Sequence, residues 1–270
     1  MIGAAVFQLR AKCAGTIAET QGRLLHAAFF QILKSYSAEL AACVHANVRF
    51  KAFTVSELLP SGAVRRKNNT LFVRKGDCFF WRVTVLRDDL LQAVASVTEG
   101  YRMQIGSVAV TVEQIFLSGE EHKNAGILDE KELIAACKSL EQIQCITFQF
   151  VSPVSFRSFQ DDYPFPLPQL IFGSLADKWN LAGMPGSFDR SQICEMASRL
   201  LPLAWRGKTK QVYLKKDRGI TGFVGEFSFE TDMLSVEDQQ TLLLLAQFAF
   251  FSGVGRLTGQ GLGQTLIHFQ

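Results

Sequence analysis

No two cysteines in this sequence stand as a Cys-x-x-Cys pair, although there are 6 of them, at positions 13, 43, 78, 137, 145 and 194. Most lie in apolar segments, which points away from a zinc site or a disulfide framework and toward reduced thiols in a cytoplasmic protein. Long hydrophobic runs are missing too. The longest, Leu242 to Phe251, is interrupted by Gln247 and is too short to span a bilayer, so no membrane-spanning helix is expected. The apolar start, Ile2 to Phe7, is shorter than the core of a signal peptide and has no basic residue before it. Net charge is scarce: at +3 over 270 residues, a site for any polyanion has to come from local clustering. No Gly-x-Gly-x-x-Gly follows a strand and opens a helix, and no other cofactor motif stands out.

What is present is the material of a packed core, 48% hydrophobic and 11% aromatic, enough for one large domain or two of about 130 residues. Positions 1–12 read as a strand. Gly22 to Val44 reads as one helix, with Leu24, Leu25, Ala28, Phe29, Ile32, Leu33, Tyr36 and Leu40 at helical spacing. A strand at 49–59, a polar basic loop at 61–70, a strand at 77–89, a short helix at 90–97 and a strand at 103–117 follow. This β-α-β-β-α-β order is that of a ferredoxin-like domain. The order recurs downstream: a strand at 145–157, helices at 168–182 and 188–204, strands at 211–216 and 220–230, a helix at 232–251 and a strand at 263–269. The fold class expected is α+β, two tandem ferredoxin-like (RRM-like) domains, 1–140 and 141–270.

Five glycines fall between 253 and 263, directly after the most apolar helix. Such a cluster implies unusual backbone angles or the close approach of something to the main chain. A dinucleotide loop needs strand, glycines, helix; here the order is helix, glycines, strand. Gly253 suits a helix C-terminus, which leaves Gly255, Gly261 and Gly263 without a reason. Arg256, Thr258 and Gln260 between them carry hydrogen-bond donors for phosphate oxygens, and uncovered N–H groups can form an anion nest. The stretch is therefore a candidate RNA-binding loop. A second candidate is the segment 205–219, where Arg206, Lys208, Lys210, Lys215, Lys216 and Arg218 face one acid, Asp217. Arg65, Arg66, Lys67, Arg74 and Lys75 form another basic set. Phe79, Phe80 and Trp81 are assigned chiefly to the core, and the signature run of an ordinary RNA-recognition motif is absent.

In order along the chain, four stretches resemble one family. Gly253-x-Gly255-x-x-x-x-x-Gly261-x-Gly263 is similar to the C-terminal signature of the RAMP (repeat-associated mysterious protein) superfamily, and more narrowly of the CRISPR repeat-processing endoribonucleases. "VRFKAFTVSELL" (48–59) is similar to that family's Phe-Thr-Phe-Ser strand, with Val55 replacing the aromatic. "FVSPVSFR" followed by "PLPQLIFGSLADKWN" resembles the opening of its second domain, and "GITGFVGEFSFE" its Gly-Phe-x-Gly strand. The resemblance implies an enzyme that cuts CRISPR repeat RNA into guide RNAs with no metal and no cofactor. In such a reaction the ribose 2′-OH attacks, leaving a 2′,3′-cyclic phosphate and a 5′-OH. It also leaves open a non-catalytic RAMP subunit that holds guide RNA among other subunits of a CRISPR effector complex, and a homodimer.

Cleavage of this kind needs a base for the 2′-OH, an acid for the leaving oxygen and cations for the charged phosphorane. The family's catalytic histidine commonly lies between the first helix and the next strand, so the resemblance places that role on His45. Lys51, six residues on, would stabilise phosphorane charge. His26 lies within the helix and is a candidate for the same cleft. Of the other two histidines, His122 is expected to be solvated and His268 structural.

Overall fold

The computed structural model describes residues 1–158, 161–215 and 218–270, and the chain divides into two units. The first contains Met1–Ile127 together with Gly259–Gly261. Its strands and helices are β1 (Ile2–Ala11), β2 (Gly15–Ala18), α1 (Gly22–Tyr36), α2 (Ala38–Ala46), β3 (Phe53–Val55), β4 (Leu59–Pro60), β5 (Arg65–Lys67), β6 (Thr70–Val73), β7 (Cys78–Val85), α3 (Asp88–Ala95), β8 (Arg102–Ile105), β9 (Val108–Phe116) and, at its end, β10 (Gly126–Leu128). The main sheet runs β3-β7-β1-β9-β8, antiparallel at each of these pairings, so the first and third strands of the β-α-β-β-α-β order lie in the middle. On α1, Leu25, Ala28, Phe29, Ile32 and Leu33 recur at helical spacing and are buried. Phe29 meets Phe53 of β3 with ring centroids 4.4 Å apart, which fixes this face of the helix over the edge of the sheet. Burying each ring contributes about 1.5–3 kcal/mol.

The second unit holds Leu128–Thr258 and Leu262–Gln270. It is built from α4 (Glu130–Lys138), β11 (Cys145–Val154), β12 (Phe156–Ser158), β13 (Asp161–Tyr163), α5 (Pro168–Ala182), α6 (Arg190–Ser198), β14 (Leu201–Lys215), β15 (Arg218–Glu230), α7 (Val236–Ser252) and β16 (Thr265–Phe269). Its sheet runs β14-β15-β11-β16, the same spatial order as in the first unit. Both units are thus ferredoxin-like. Proline opens α5, where its missing N–H costs nothing, and Gly183 closes it in the left-handed conformation. Helix α7 is buried on nearly every side, which its all-round apolar sequence requires.

Four elements differ from the sequence expectation, each for a local reason. The helix expected at 22–44 breaks at Ser37, which turns extended so that its side chain accepts a hydrogen bond from Leu40 N–H and starts α2. The strand expected at 49–59 is confined to β3 and β4, both paired with β7. The basic loop expected at 61–70 is partly a hairpin, β5–β6, turning on Asn68 and Asn69, both with positive φ. The helix expected at 188–204 ends at Ser198, and β14 begins at Leu201. Pro202 forbids helix there, because it removes a donor and disfavours helical angles in the residue before it. Residues 216–217, between β14 and β15, lie outside the described residues. Phe79 and Trp81 are fully buried, as core positions should be.

Candidate active site

On α1, one turn before Phe29 and Phe30, stands His26, on the side of the helix that meets β3. Its ring centroid lies 5.0 Å from that of Phe30 and 5.4 Å from that of Phe53. Its Nδ1 is 2.8 Å from the carbonyl oxygen of Gly259, which belongs to the same unit. A carbonyl only accepts, so Nδ1 carries the hydrogen, and in the neutral ring Nε2 keeps a lone pair. Burial pulls the His26 pKa below its ordinary value. The Gly259 carbonyl opposes that pull, and the positive charges of Lys51 and His45 reinforce it. At neutral pH the ring is therefore an uncharged proton acceptor.

His45 occupies the last turn of α2 and is exposed. Its ring meets Phe30 edge-on with centroids 5.7 Å apart, so one phenylalanine touches both histidines. Lys51 Nζ donates to the carbonyls of Val44 (2.7 Å) and His45 (3.0 Å). A cation at the end of a helix satisfies carbonyls that lack an intrahelical partner and sits at the negative end of the dipole. Burial lowers the pKa of Lys51. The main chain at Gly259 passes close over this residue: a Cβ there would lie 3.6 Å from Lys51 Cβ and 3.5 Å from Phe53. The structure therefore brings His26, His45 and Lys51 together around Phe30, Phe53 and Gly259.

The glycine loop has uses inside the fold that its sequence did not reveal. A Cβ on Gly263 would overlap the Val254 carbonyl, and one on Gly255 would overlap that of Ser155; both residues also have positive φ. Gly253 N–H donates to Ala249, Gly255 N–H to Ser174 Oγ, Arg256 N–H to Ser155 and Gly263 N–H to Pro153. A phosphate nest built on the N–H groups of Gly253, Gly255 and Gly263 is thus not what the structure presents, because those donors are already used. Arg256 pairs with Asp162. Thr258 is buried, and Thr258–Gln260 form a turn of 3-10 helix. A Cβ on Gly261 would lie 3.6 Å from Gly22 Cα and 3.8 Å from the Val55 carbonyl oxygen.

A model of the CRISPR Cas6 N-terminal domain matches residues 2–118, and one of the CRISPR-associated endoribonuclease Cas6 matches residues 148–265. The chain belongs to the Cas6 family. A Cas6 product complex is 28% identical, with 99% of both chains covered and a TM-score of 0.78. A Thermus thermophilus Cas6 is also 28% identical, covering 99% of this chain and 98% of that one with a TM-score of 0.69. A further Cas6 product complex, 23% identical over 99% of this chain and all of the other, agrees in fold with a TM-score of 0.75. No curated protein matches the sequence.

The basic segment of this Cas6 chain is the long edge hairpin β14–β15. Lys208 and Lys210 are exposed on β14, and Arg206 lies 3.4 Å from Glu226. Lys215 and Arg218 continue the strands, their side chains undescribed, and Lys216 lies outside the described residues. His122, expected to be solvated, instead packs between Phe80 and Phe116 and accepts from Asn124 N–H at 3.1 Å. His268 is exposed on β16, opposite Thr147. Among the described residues no helix is long and apolar enough to cross a membrane.

Lys178 on α5 escaped the sequence reading because a lone lysine in a helix ordinarily faces water. Here it is buried, with Nζ 3.0 Å from Ser252 O, 2.8 Å from Gly253 O and 3.5 Å from Thr258 Oγ1. Burial pushes its pKa down to about 7. Nζ donates to all three of these oxygens, so the lowering comes from burial and not from a hydrogen bond to the neutral amine. Between about pH 7 and the ordinary lysine value, the folded chain holds fewer protons here than the unfolded chain, so raising the pH favours folding. Urea unfolding is expected to show stability gained from pH 7 to pH 9, by up to about 1.4 kcal/mol per pH unit from this proton. Lys178→Met should lack that increment; an identical pH response in both proteins would refute a depressed Lys178.

Proposed function

We propose that this Cas6 chain cuts CRISPR repeat RNA by metal-independent attack of a ribose 2′-OH on the adjoining phosphate. His26 Nε2 takes the 2′-OH proton, the new bond to phosphorus forms, and the bond to the 5′-oxygen breaks. His45, at the exposed end of α2, supplies the proton to that leaving oxygen. Lys51 has two of its three N–H groups on α2 carbonyls and offers the third to the charged phosphorane. The products are a 2′,3′-cyclic phosphate and a 5′-OH. The observation that carries this reading is the tautomer of His26, held with a lone pair on Nε2 beside a second histidine and an ammonium. RNA contacts fall to Gln260, the partly exposed residue of the 258–261 turn, and to the hairpin through Lys208 and Lys210. In support, related Cas6 proteins have been solved as product and substrate-mimic complexes.

Labelled repeat RNAs incubated with the protein in EDTA test the proposal. Cleavage at an undiminished rate is expected, with a cyclic phosphate on the upstream product. A requirement for added divalent ion, or a 3′-hydroxyl end, would overturn the chemistry. Tight binding of every repeat with no cleavage would make the chain the guide-holding, non-catalytic kind of RAMP subunit.

A further inference from the structure

Strand β14 is the outer strand of its sheet, and it carries an exposed tryptophan on a basic stretch. Of the 3 tryptophans, Trp81 and Trp179 are fully buried, whereas Trp205 is 61% exposed. The Trp205 ring is not loose. It lies nearly parallel to Phe227, its register partner on β15, at 13° and 6.4 Å between centroids, and Phe165 meets it edge-on at 6.4 Å. Phe227 is buried, so the indole is backed by the core while most of its surface stays in water. The next alternate positions, Arg206, Lys208 and Lys210, are exposed and point to the opposite side of the strand. An edge strand is where one extended chain can reach both sides. Its backbone can run past the cations while a base turns onto the ring.

We propose that Trp205 is a stacking platform for an unpaired base of the RNA substrate, with Lys208 and Lys210 holding the adjoining phosphates. This rests on the reading of the chain as a repeat-RNA endoribonuclease. Two observations favour RNA over a protein partner. A rigid aromatic beside a run of cations is the pattern by which single strands are held, and lysine is depleted from protein–protein interfaces. A base inside a stem has its faces covered by its neighbours, so the platform fits an unpaired nucleotide.

Because the other two tryptophans are buried and emit further to the blue, the solvent-exposed, red-shifted component of the intrinsic fluorescence reports on Trp205. A single-stranded oligoadenylate of about twelve nucleotides is expected to quench the exposed component of the emission, and a blunt RNA duplex of equal length to leave it unchanged. Trp205→Ala should weaken binding of the oligoadenylate about 5- to 150-fold, the range that stacking of one base supplies. Trp205→Phe should keep most of the affinity, and Trp205→Leu should behave as alanine does. Equal quenching by the duplex, or full affinity in the leucine variant, would overturn the proposal. So would an unquenched tryptophan in wild type that binds and cleaves a repeat RNA, and that outcome would leave the enzyme reading standing. A wild type that neither binds nor cleaves any repeat RNA would sink both.

Discussion

Single-turnover cleavage by His26→Ala is expected to be about 10²- to 10⁴-fold slower than wild type, with RNA affinity nearly unchanged. The size follows from what one positioned acid or base ordinarily supplies, roughly 3–5 kcal/mol of barrier. The identity of the residue follows from its surroundings. Burial favours the uncharged ring, and the Gly259 carbonyl settles which nitrogen holds the hydrogen. The wild-type rate should therefore rise with pH along an acid limb whose midpoint lies below the ordinary histidine value of 6.5. Above it the base is ready; below it the ring is protonated and cannot accept the 2′-OH proton. Removing His26 should abolish that limb along with the rate. His45→Ala should lose a comparable factor, and the double variant little more than either alone, because residues acting on one phosphate are not additive. A loss under about tenfold in His26→Ala, with the acid limb intact, would return the base to His45.

The two histidines were not equally visible in the sequence. His45 and Lys51 stand six residues apart at a helix–strand junction, and the structure joins them locally, through two carbonyls of one helix end. His26 looked like a helix residue of uncertain facing. What defines its chemistry is a carbonyl 233 residues away along the chain, which no periodicity can supply. The glycine cluster shows the same division. Its spacing marked it as unusual, yet the reason at Gly255 and Gly263 is the nearness of another stretch of main chain, a property of the folded molecule alone. Both sheets, by contrast, were legible: hydrophobic alternation and the order of elements are local signals, and they led to the same ferredoxin-like order twice. Where the reading of elements slipped, a local signal was present but outvoted. Pro202 lay inside an apolar, helix-spaced run, and Asn68-Asn69 inside a basic one.

Gly22→Ala is expected to cost about 10²-fold in cleavage although Gly22 touches no substrate group in the proposed reaction. Gly22 opens α1 with ordinary backbone angles, so alanine costs nothing conformationally there and would by itself favour the helix. The obstacle is steric. A Cβ at this position would overlap the carbonyl oxygen of Gln260 and lie 2.6 Å from its carbon. Helix α1 is poorly placed to retreat, because the neighbouring Gln21 accepts a hydrogen bond from Leu58 N–H at 2.9 Å and Phe29 is locked on Phe53. The segment Gly259–Gly261 has to yield instead, by about an ångström, and the carbonyl of Gly259 leaves His26 Nδ1. Without that acceptor the ring is free to rotate and to hold its hydrogen on either nitrogen, so Nε2 is no longer aimed or reliably unprotonated. A displacement of this size is enough for a hundredfold loss. Overpacking should also lower stability by about 1–3 kcal/mol, so the assay belongs well below the melting temperature, with folding checked by circular dichroism. The distinguishing readout is the pH profile: the Gly259 carbonyl holds the His26 pKa up against the pull of burial, so its loss should move the acid limb further below the ordinary histidine value. A variant that melts earlier yet cleaves at the wild-type rate and on the wild-type profile would show that Gly259 does not position His26, leaving Gly22 with a purely structural role.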